Sequence, residues 1–468
     1  MRKNRSPWLH QLDKSRRHVR LRADLATEVA IVGAGIAGIA TAFFTLKYTD
    51  KKVTVLEAYK LAHGATGHNA GQVVSYFEKG FANMVKEFGL ELATDGQRSI
   101  DGAWELFQEM YDEAKLDIFF DHRPGHDGYS TYEQVIDTLE EAWLKREAGL
   151  VWDRLTVATS APFVDSIPQQ YAGLWSAARH TQILEMLETD NPMFVAAAST
   201  KKGCTNSALF CERMLEHLLK AYPQRFALYE HAPVHKLILR ADDALLDADN
   251  YTVTAGRVVL CTNGFENIHI INENGLEVDA KYHYLLRGRV AYMSAYVEEA
   301  GKPPVATAYE TPDEPQEDLP YYYLTRRPYE YEEGREHNLI SVGGPEQAFE
   351  EDVYSRDTEY PERAMQIINN FICTIYNPGR EGPVEYAFTW HGLMGYTANG
   401  IRMVGEEPQN PILLYNLGCN GVGILPSVFG GRKIARHLAG EEVPHSVFDI
   451  PKRVTSPLLD SSRDLQAL

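Results

Sequence analysis

A chain of 468 residues, 44% of them hydrophobic, is long enough to bury a sizeable core, which excludes wholesale disorder and accommodates two intimately packed domains. The net charge of −19 argues against nucleic acid as a primary ligand, because neutralising phosphates needs a basic face. Cys204, Cys211, Cys261, Cys373 and Cys419 form no CxxC pair, so reduced thiols without a metal site are expected.

Residues 1–22 hold eight Lys or Arg against one Asp, and residues 1–24 read as a basic arm, solvated or docked on the surface. No cleavable apolar segment precedes the fold, which favours a cytoplasmic location. Val29 to Val32 suit a strand buried on both faces of a parallel sheet. Gly33 then permits a tight turn, Gly35 lets backbone approach a pyrophosphate, and Gly38 lets the following helix lie close to the sheet. Ile36 to Lys47 supply that helix, whose N-terminus favours an anion. Glu57 ends the next apolar run, where a carboxylate accepts from ribose hydroxyls and disfavours a 2′-phosphate, making NADP the least suited ligand. Val29 to Leu46 is nearly long enough to span a membrane, but a second strand ending in an acid belongs to a βαβ unit.

Farther on, Ala62 to Gln72 is too polar for a strand and too glycine-rich for a helix, and reads as a loop that hugs a ligand. Residues 85–118 and 131–149 show helical spacing, as does Ser207 to Ala221. Phe226 to Leu239 reads as two strands, and Arg257 to Cys261 as a buried one. Residues 287–298, 321–325 and 338–342 predict an antiparallel sheet, with Gly301 to Pro320 a solvated loop inside it. Helices near Pro361 to Tyr376 and Val428 to Leu438 flank a strand at Ile412 to Asn416. The expected fold is α/β: a discontinuous Rossmann-like dinucleotide domain (25–80, 200–290, 385–445) interleaved with an antiparallel-sheet substrate domain carrying a helical insertion (81–199, 291–384), then a tail at 446–468.

Five segments in this order resemble the FAD-dependent oxidoreductases of the D-amino-acid oxidase and sarcosine oxidase superfamily. They are the Gly33 to Gly38 turn with Glu57, Gly64-Ala-Thr-Gly-His-Asn-Ala-Gly71, Arg257 to Gly264, Trp390 to Gly405, and Leu417-Gly-Cys-Asn-Gly-Val-Gly423. The resemblance spans residues 29 to about 440 and implies FAD as cofactor, with hydride transfer from an amine or amino acid to flavin N5 and hydrolysis of the resulting imine. The cofactor contacts it implies are Gly33, Gly35, Ile36, Ala37, Gly38, Glu57 and Ala58, then Gly64, Ala65, Thr66, His68, Asn69, Ala70 and Gly71. Val234, Thr262, Asn263, Gly264, Gly392, Gly418, Asn420, Gly421, Val422 and Gly423 complete the set, the last three as backbone donors to the flavin edge.

The chain also departs from the family. Met394 stands where amino-acid oxidases of this type carry the arginine that forks onto a substrate carboxylate, leaving Arg287, Arg289 and Arg402 as substitutes and tilting the expectation toward an amine. His68 occupies the place of a flavin-linked histidine in one branch of relatives, and Gly392 excludes a cysteinyl link. The catalytic candidates are His391, beside the expected flavin site, and Tyr322, in the alternating run Tyr321 to Tyr323. Lys281 is the lysine nearest the stretch that assists oxygen in relatives, and dioxygen or another acceptor would take the electrons. An NAD-dependent dehydrogenase and a flavin-binding protein without turnover are the alternatives.

Overall fold

Val29 to Val32 are buried, as a strand covered on both faces must be. Leu25–Val32 runs parallel to Val53–Glu57 on one side and to Tyr251–Leu260 on the other. Phe226–Glu230 and Asn410–Leu417 extend the parallel sheet at its two sides, and Val234–Leu239 with Ala244–Ala248 adds an antiparallel meander. In this computed structural model residues 4–264, 268–278, 286–312, 321–349, 354–380 and 382–450 are described. Lys281 and the tail from residue 451 lie outside them.

The helix Ile36–Tyr48 packs against this sheet and, on its other side, against Ile424–Leu438, which explains why Ile36 to Leu46 are all buried. Glycine makes the crossing close: a Cβ on Gly431 would lie 2.7 Å from the Thr41 nitrogen.

The second sheet has ten strands. Its order begins Phe388–Thr397, Leu286–Glu299, Arg335–Phe349, Tyr321–Glu332, Val305–Glu310, all antiparallel neighbours. Phe120–Tyr129, Ala196–Thr205, Arg154–Ala158 and Trp175–Ala178 complete it, and Gln72–Val74 pairs with Ala196–Thr205. The fold is therefore the expected α/β arrangement, a Rossmann-like parallel sheet with an antiparallel one. Each of the three segments 25–80, 200–290 and 385–445 supplies strands to both sheets, so the chain crosses between them more often than composition suggests.

One reading needs correction and two gain detail. The helical stretch 85–118 is three helices, Phe81–Phe88, Leu90–Asp101 and Ala103–Ala114, broken at Gly89, whose φ is +80°, and at Gly102. The segment read as a solvated loop from Gly301 contains a strand, Val305–Glu310, because Ala306 to Tyr309 are buried between two neighbours in the sheet. The basic arm follows the docked alternative at its start, while residues 13–15, 17–20 and 22–24 are exposed. Ser6 caps a short helix, Pro7–His10, that carries Trp8 to complete burial, and Arg16 grips the buried Glu230 with two nitrogens at 2.8 and 2.6 Å. No helix among the described residues is long and apolar enough to cross a membrane.

Candidate functional site

One cavity of about 2480 Å³ runs from the carboxyl end of Leu25–Val32 to the face of the second sheet. Its first wall is the glycine turn. Gly33 has φ +102°, and a Cβ there would meet the Cys261 carbonyl oxygen at 2.7 Å. Gly35, Ile36, Ala37, Glu57 and Ala58 line the same wall. The Glu57 carboxylate accepts from the Ala34 and Tyr59 nitrogens at 2.8 and 2.9 Å, which fixes it at the strand end beside the turn. Gly38 lies behind the wall, where a Cβ would come 1.9 Å from the Gly33 oxygen; its part is close packing rather than contact.

The loop at 64–71 folds over this turn. Thr66 Oγ1 accepts from the Ile36 nitrogen at 2.9 Å, joining loop to helix N-terminus. Gly64, Ala65, Thr66, His68, Asn69 and Ala70 line the cavity, whereas Gly71 does not. The Asn69 carbonyl accepts from the indoles of Trp8 and Trp390 at 2.5 and 3.3 Å, so the N-terminal arm pins the loop from behind. Gly71, at φ +71°, makes room for Trp8, whose Cη2 would lie 2.8 Å from a Cβ. The sequence carries a signal for this arm in Ser6-Pro7, an N-cap followed by proline.

His68 is nearly inaccessible, and burial pushes its imidazole down to about 4, so it is neutral at neutral pH. A neutral ring with Nδ1 bonded at 2.9 Å to the Gly64 carbonyl must carry its proton on Nδ1, leaving Nε2 as a lone pair. His68 presses on β-strand backbone: a Cβ on Gly392 would lie 2.9 Å from its Cβ.

At the far side, Val234, Thr262 and Asn263 line the cavity with Gly392, Gly421, Val422 and Gly423. Asn263, at φ +64°, holds three segments together: its Oδ1 accepts from Cys419 nitrogen at 3.1 Å and its Nδ2 donates to Leu393 oxygen at 3.3 Å. Gly264, Gly418 and Asn420 shape the turns from outside the cavity. The Asn420 carboxamide accepts from Thr397 nitrogen at 2.8 Å, and a Cβ on Gly264 would collide with Leu286. Val422 nitrogen donates back to Cys419 and Asn420 oxygens, so it is not among the donors open to the cavity, which Gly421, Gly423 and the first residue of Ile424–Leu438 also line.

The catalytic candidates fare differently. Tyr321 and Tyr323 face the cavity, while Tyr322, one residue out of phase, points to the other side and stacks on Phe371 with ring centres 4.5 Å apart. Strand alternation thus removes Tyr322 from the cavity. His391 reaches the wall but is held at both nitrogens: Nε2 faces the Thr358 carbonyl at 2.9 Å and must donate, so Nδ1 accepts from the Tyr354 hydroxyl at 2.6 Å. Burial lowers its pKa, and no ring nitrogen is left to receive a proton from an amine. Among the arginines, Arg402 commits its donors to Asn416 and the Gly418 carbonyl, and burial lowers it to about 10. Arg287 is exposed and bonds its neighbour's carbonyl. Arg289 approaches Glu346 at 3.2 Å.

Sequence reasoning missed Glu78 and Glu346, which line the cavity, Glu78 beside the Gly421 turn. Burial pushes Glu346 up to about 7, with Arg289 opposing and the charge of Glu78 reinforcing. A carboxyl whose folded pKa exceeds its unfolded one contributes stability that is complete below the unfolded value and lost as pH rises through the folded value. Glu346→Gln should therefore raise the melting temperature at about pH 8 and leave it unchanged near pH 4, where both proteins are neutral at this position. Thermal melts of the apoprotein check this, and equal shifts at both pH values would refute the buried-charge assignment.

The glycine cradle, the acid at the second strand and the helix N-terminus fit a bound FAD. From residue 28 to 437 the sequence matches the DAO family model, described as FAD dependent oxidoreductase. It is 30% identical over 122 residues to gamma-glutamylputrescine oxidoreductase of Escherichia coli (strain K12), covering 26% of this chain and 28% of that protein. It is 36% identical over 119 residues to the probable oxidoreductase OrdL of Haemophilus influenzae, covering 24% and 26%. The matched region is thus about a quarter of the length of these curated relatives. Glycine oxidase from Geobacillus kaustophilus superposes with a TM-score of 0.64 at 16% identity, over 92% of this chain and 100% of that one. L-amino acid deaminase from Proteus vulgaris gives 0.63 at 12%, over 91% and 96%. At such identities the structural likeness is one of fold. The family match removes the NAD-dependent alternative, and the chain belongs to the DAO family of FAD-dependent oxidoreductases.

Proposed function

We propose that this enzyme oxidises a carbon–nitrogen bond of an amine, using FAD and releasing an imine that water hydrolyses to a carbonyl compound. The observation that carries the reading is a single cavity lined at one end by the Gly33 to Ala37 turn and at the other by the Gly421 to Gly423 turn. Bound FAD would supply the electron acceptor, taking hydride at N5. Gly33, Gly35 and the N-terminus of Ile36–Tyr48 would hold its pyrophosphate, and Glu57 its ribose. The N-terminal end of Ile424–Leu438 would stabilise negative charge arising at the ring edge. His391, bonded at both nitrogens, orients the Tyr354 to Thr358 segment and moves no proton.

His68 is the residue suited to a covalent flavin link, being neutral, desolvated and unprotonated at Nε2. Acid-precipitated protein should keep its yellow colour and lose it in His68→Ala; a colourless pellet from the unaltered protein contradicts the link. Turnover itself is tested by trapping the carbonyl product with a hydrazine reagent, with dioxygen and an artificial dye compared as acceptors. Carbonyl formation in step with acceptor reduction is expected. Flavin-loaded protein that yields none with any amine would instead be a flavin-binding protein without turnover.

A further inference from the structure

Residues 354–358 bridge the two sheets along the cavity wall. On the side of the second sheet they are tied to Phe388–Thr397, where the Tyr354 hydroxyl and the Thr358 carbonyl hold the two ring nitrogens of His391 at 2.6 and 2.9 Å. The N-terminal arm clamps the middle. Asn4 Nδ2 donates to the Arg356 carbonyl at 3.1 Å and to that of His391 at 3.3 Å, while its Oδ1 accepts from the His391 nitrogen at 3.2 Å. Next to it, Arg5 forms a β-bridge with Thr389. On the side of the parallel sheet, the Arg356 guanidinium lies 4.3 Å from the centre of the Tyr59 ring. Tyr59 follows the strand Val53–Glu57, and its nitrogen donates to the same Glu57 carboxylate that holds Ala34 of the glycine turn.

Arg356 is half-buried and lines the cavity, and its guanidinium makes no hydrogen bond or ion pair among the described residues. The tyrosine face seats the guanidinium without neutralising it, because stacking leaves the in-plane donors uncommitted. The wall nearby supplies no other cation. The turn at 33–37 and the loop at 64–70 contain no Lys or Arg, His68 is neutral, and Glu57 is an acid. A diphosphate brings two negative charges to a helix N-terminus that carries only about half an elementary charge. Burial lowers the pKa of His63 and His68, and the positive charge of Arg356 lowers both further, so its field reaches the loop that folds over that helix N-terminus.

We infer that Arg356 is a cofactor-holding residue: seated on Tyr59 by the strap that Asn4 and His391 fasten, its guanidinium pairs with the diphosphate of bound FAD. The inference rests on FAD lying along the glycine turn and is independent of the substrate.

Titrating the full-length apoprotein with FAD that lacks the flavin 8-methyl group, through which a histidyl link would form, keeps the cofactor exchangeable. Quenching of flavin fluorescence reads its dissociation constant at several salt concentrations. In Arg356→Gln the constant should rise tenfold or more, and its increase with salt should be shallower than in the parent, because a charge pair has been removed. Arg356→Lys should keep the parent's salt dependence and recover part of the affinity. Asn4→Ala should weaken binding less, and combined with Arg356→Gln it should add less than twofold to the effect of Arg356→Gln alone, since it acts through that side chain. A rise of less than tenfold in Arg356→Gln, a salt dependence equal to the parent's, or effects of Asn4 and Arg356 that multiply overturns the inference and leaves the cofactor site standing. A parent protein that does not bind this flavin overturns the placement of FAD itself.

Discussion

Gly38→Ala should yield protein that no longer retains FAD. The added Cβ would fall 1.9 Å from the Gly33 oxygen and 3.0 Å from its carbonyl carbon, both backbone atoms that cannot rotate aside. The helix Ile36–Tyr48 would have to lift from the turn, yet Gly431 of the helix behind already approaches Thr41 nitrogen to within 2.7 Å of a Cβ. Strain in a packed interior costs about 1–3 kcal/mol and sometimes more. Here it also displaces the nitrogens that would meet the pyrophosphate, so loss of flavin should exceed what the drop in stability explains. The ratio of flavin absorbance to protein and the melting temperature check this. Gly379→Ala, where a Cβ meets nothing within 4 Å, should match the parent in both.

Trp8→Ala is expected to be the most damaging change outside the cavity. Trp8 is fully buried, donates to the Asn69 carbonyl at 2.5 Å and sets its edge against Trp390 with centres 6.2 Å apart. It also covers a buried cation. The Arg327 guanidinium lies 4.9 Å from the Trp8 ring and 5.5 Å from that of Phe119, and its Nε and Nη1 have no hydrogen-bond partner. Removing the indole leaves a large void, frees the loop carrying His68 and Asn69, and takes one aromatic face from Arg327. Truncating a buried tryptophan costs about 3–5 kcal/mol. Trp8→Phe keeps a ring over Arg327 and loses only the hydrogen bond, roughly 1 kcal/mol. Chemical denaturation should rank the three proteins accordingly, and FAD should dissociate faster from Trp8→Ala. If Trp8→Ala alters stability but not FAD release, the arm does not pin the loop.

These two positions show what the sequence made legible. Gly33, Gly35 and Gly38 stood out because the turn, the close approach and the helix packing are local demands, met within six residues. Trp8 lies 61 positions from Asn69 and 382 from Trp390, and no local pattern reports such a contact. Parity is equally silent: Tyr321 to Tyr323 were recognisable as a strand, but which tyrosines face the cavity depends on the register with Arg335–Phe349. Phe120–Tyr129 escaped notice because Pro124, Gly125 and several charges hide its alternation. Its partner strand buries Lys202, which sequence statistics place outside; an ion pair with Asp127 permits it. Glu78, in a short polar connection, gains meaning only from the Gly421 turn brought against it. The cofactor was legible because glycine spacing encodes it, whereas the substrate end depends on side chains from separate strands.

The central claim is that this cavity binds FAD and passes it electrons from an amine. Its most direct test is the visible spectrum of the FAD-loaded protein, recorded without oxygen while amines of increasing concentration are added. The flavin band should bleach with a saturating rate and return when an acceptor is admitted. A band that stays unchanged under every amine, in protein shown to hold its flavin, would contradict the account.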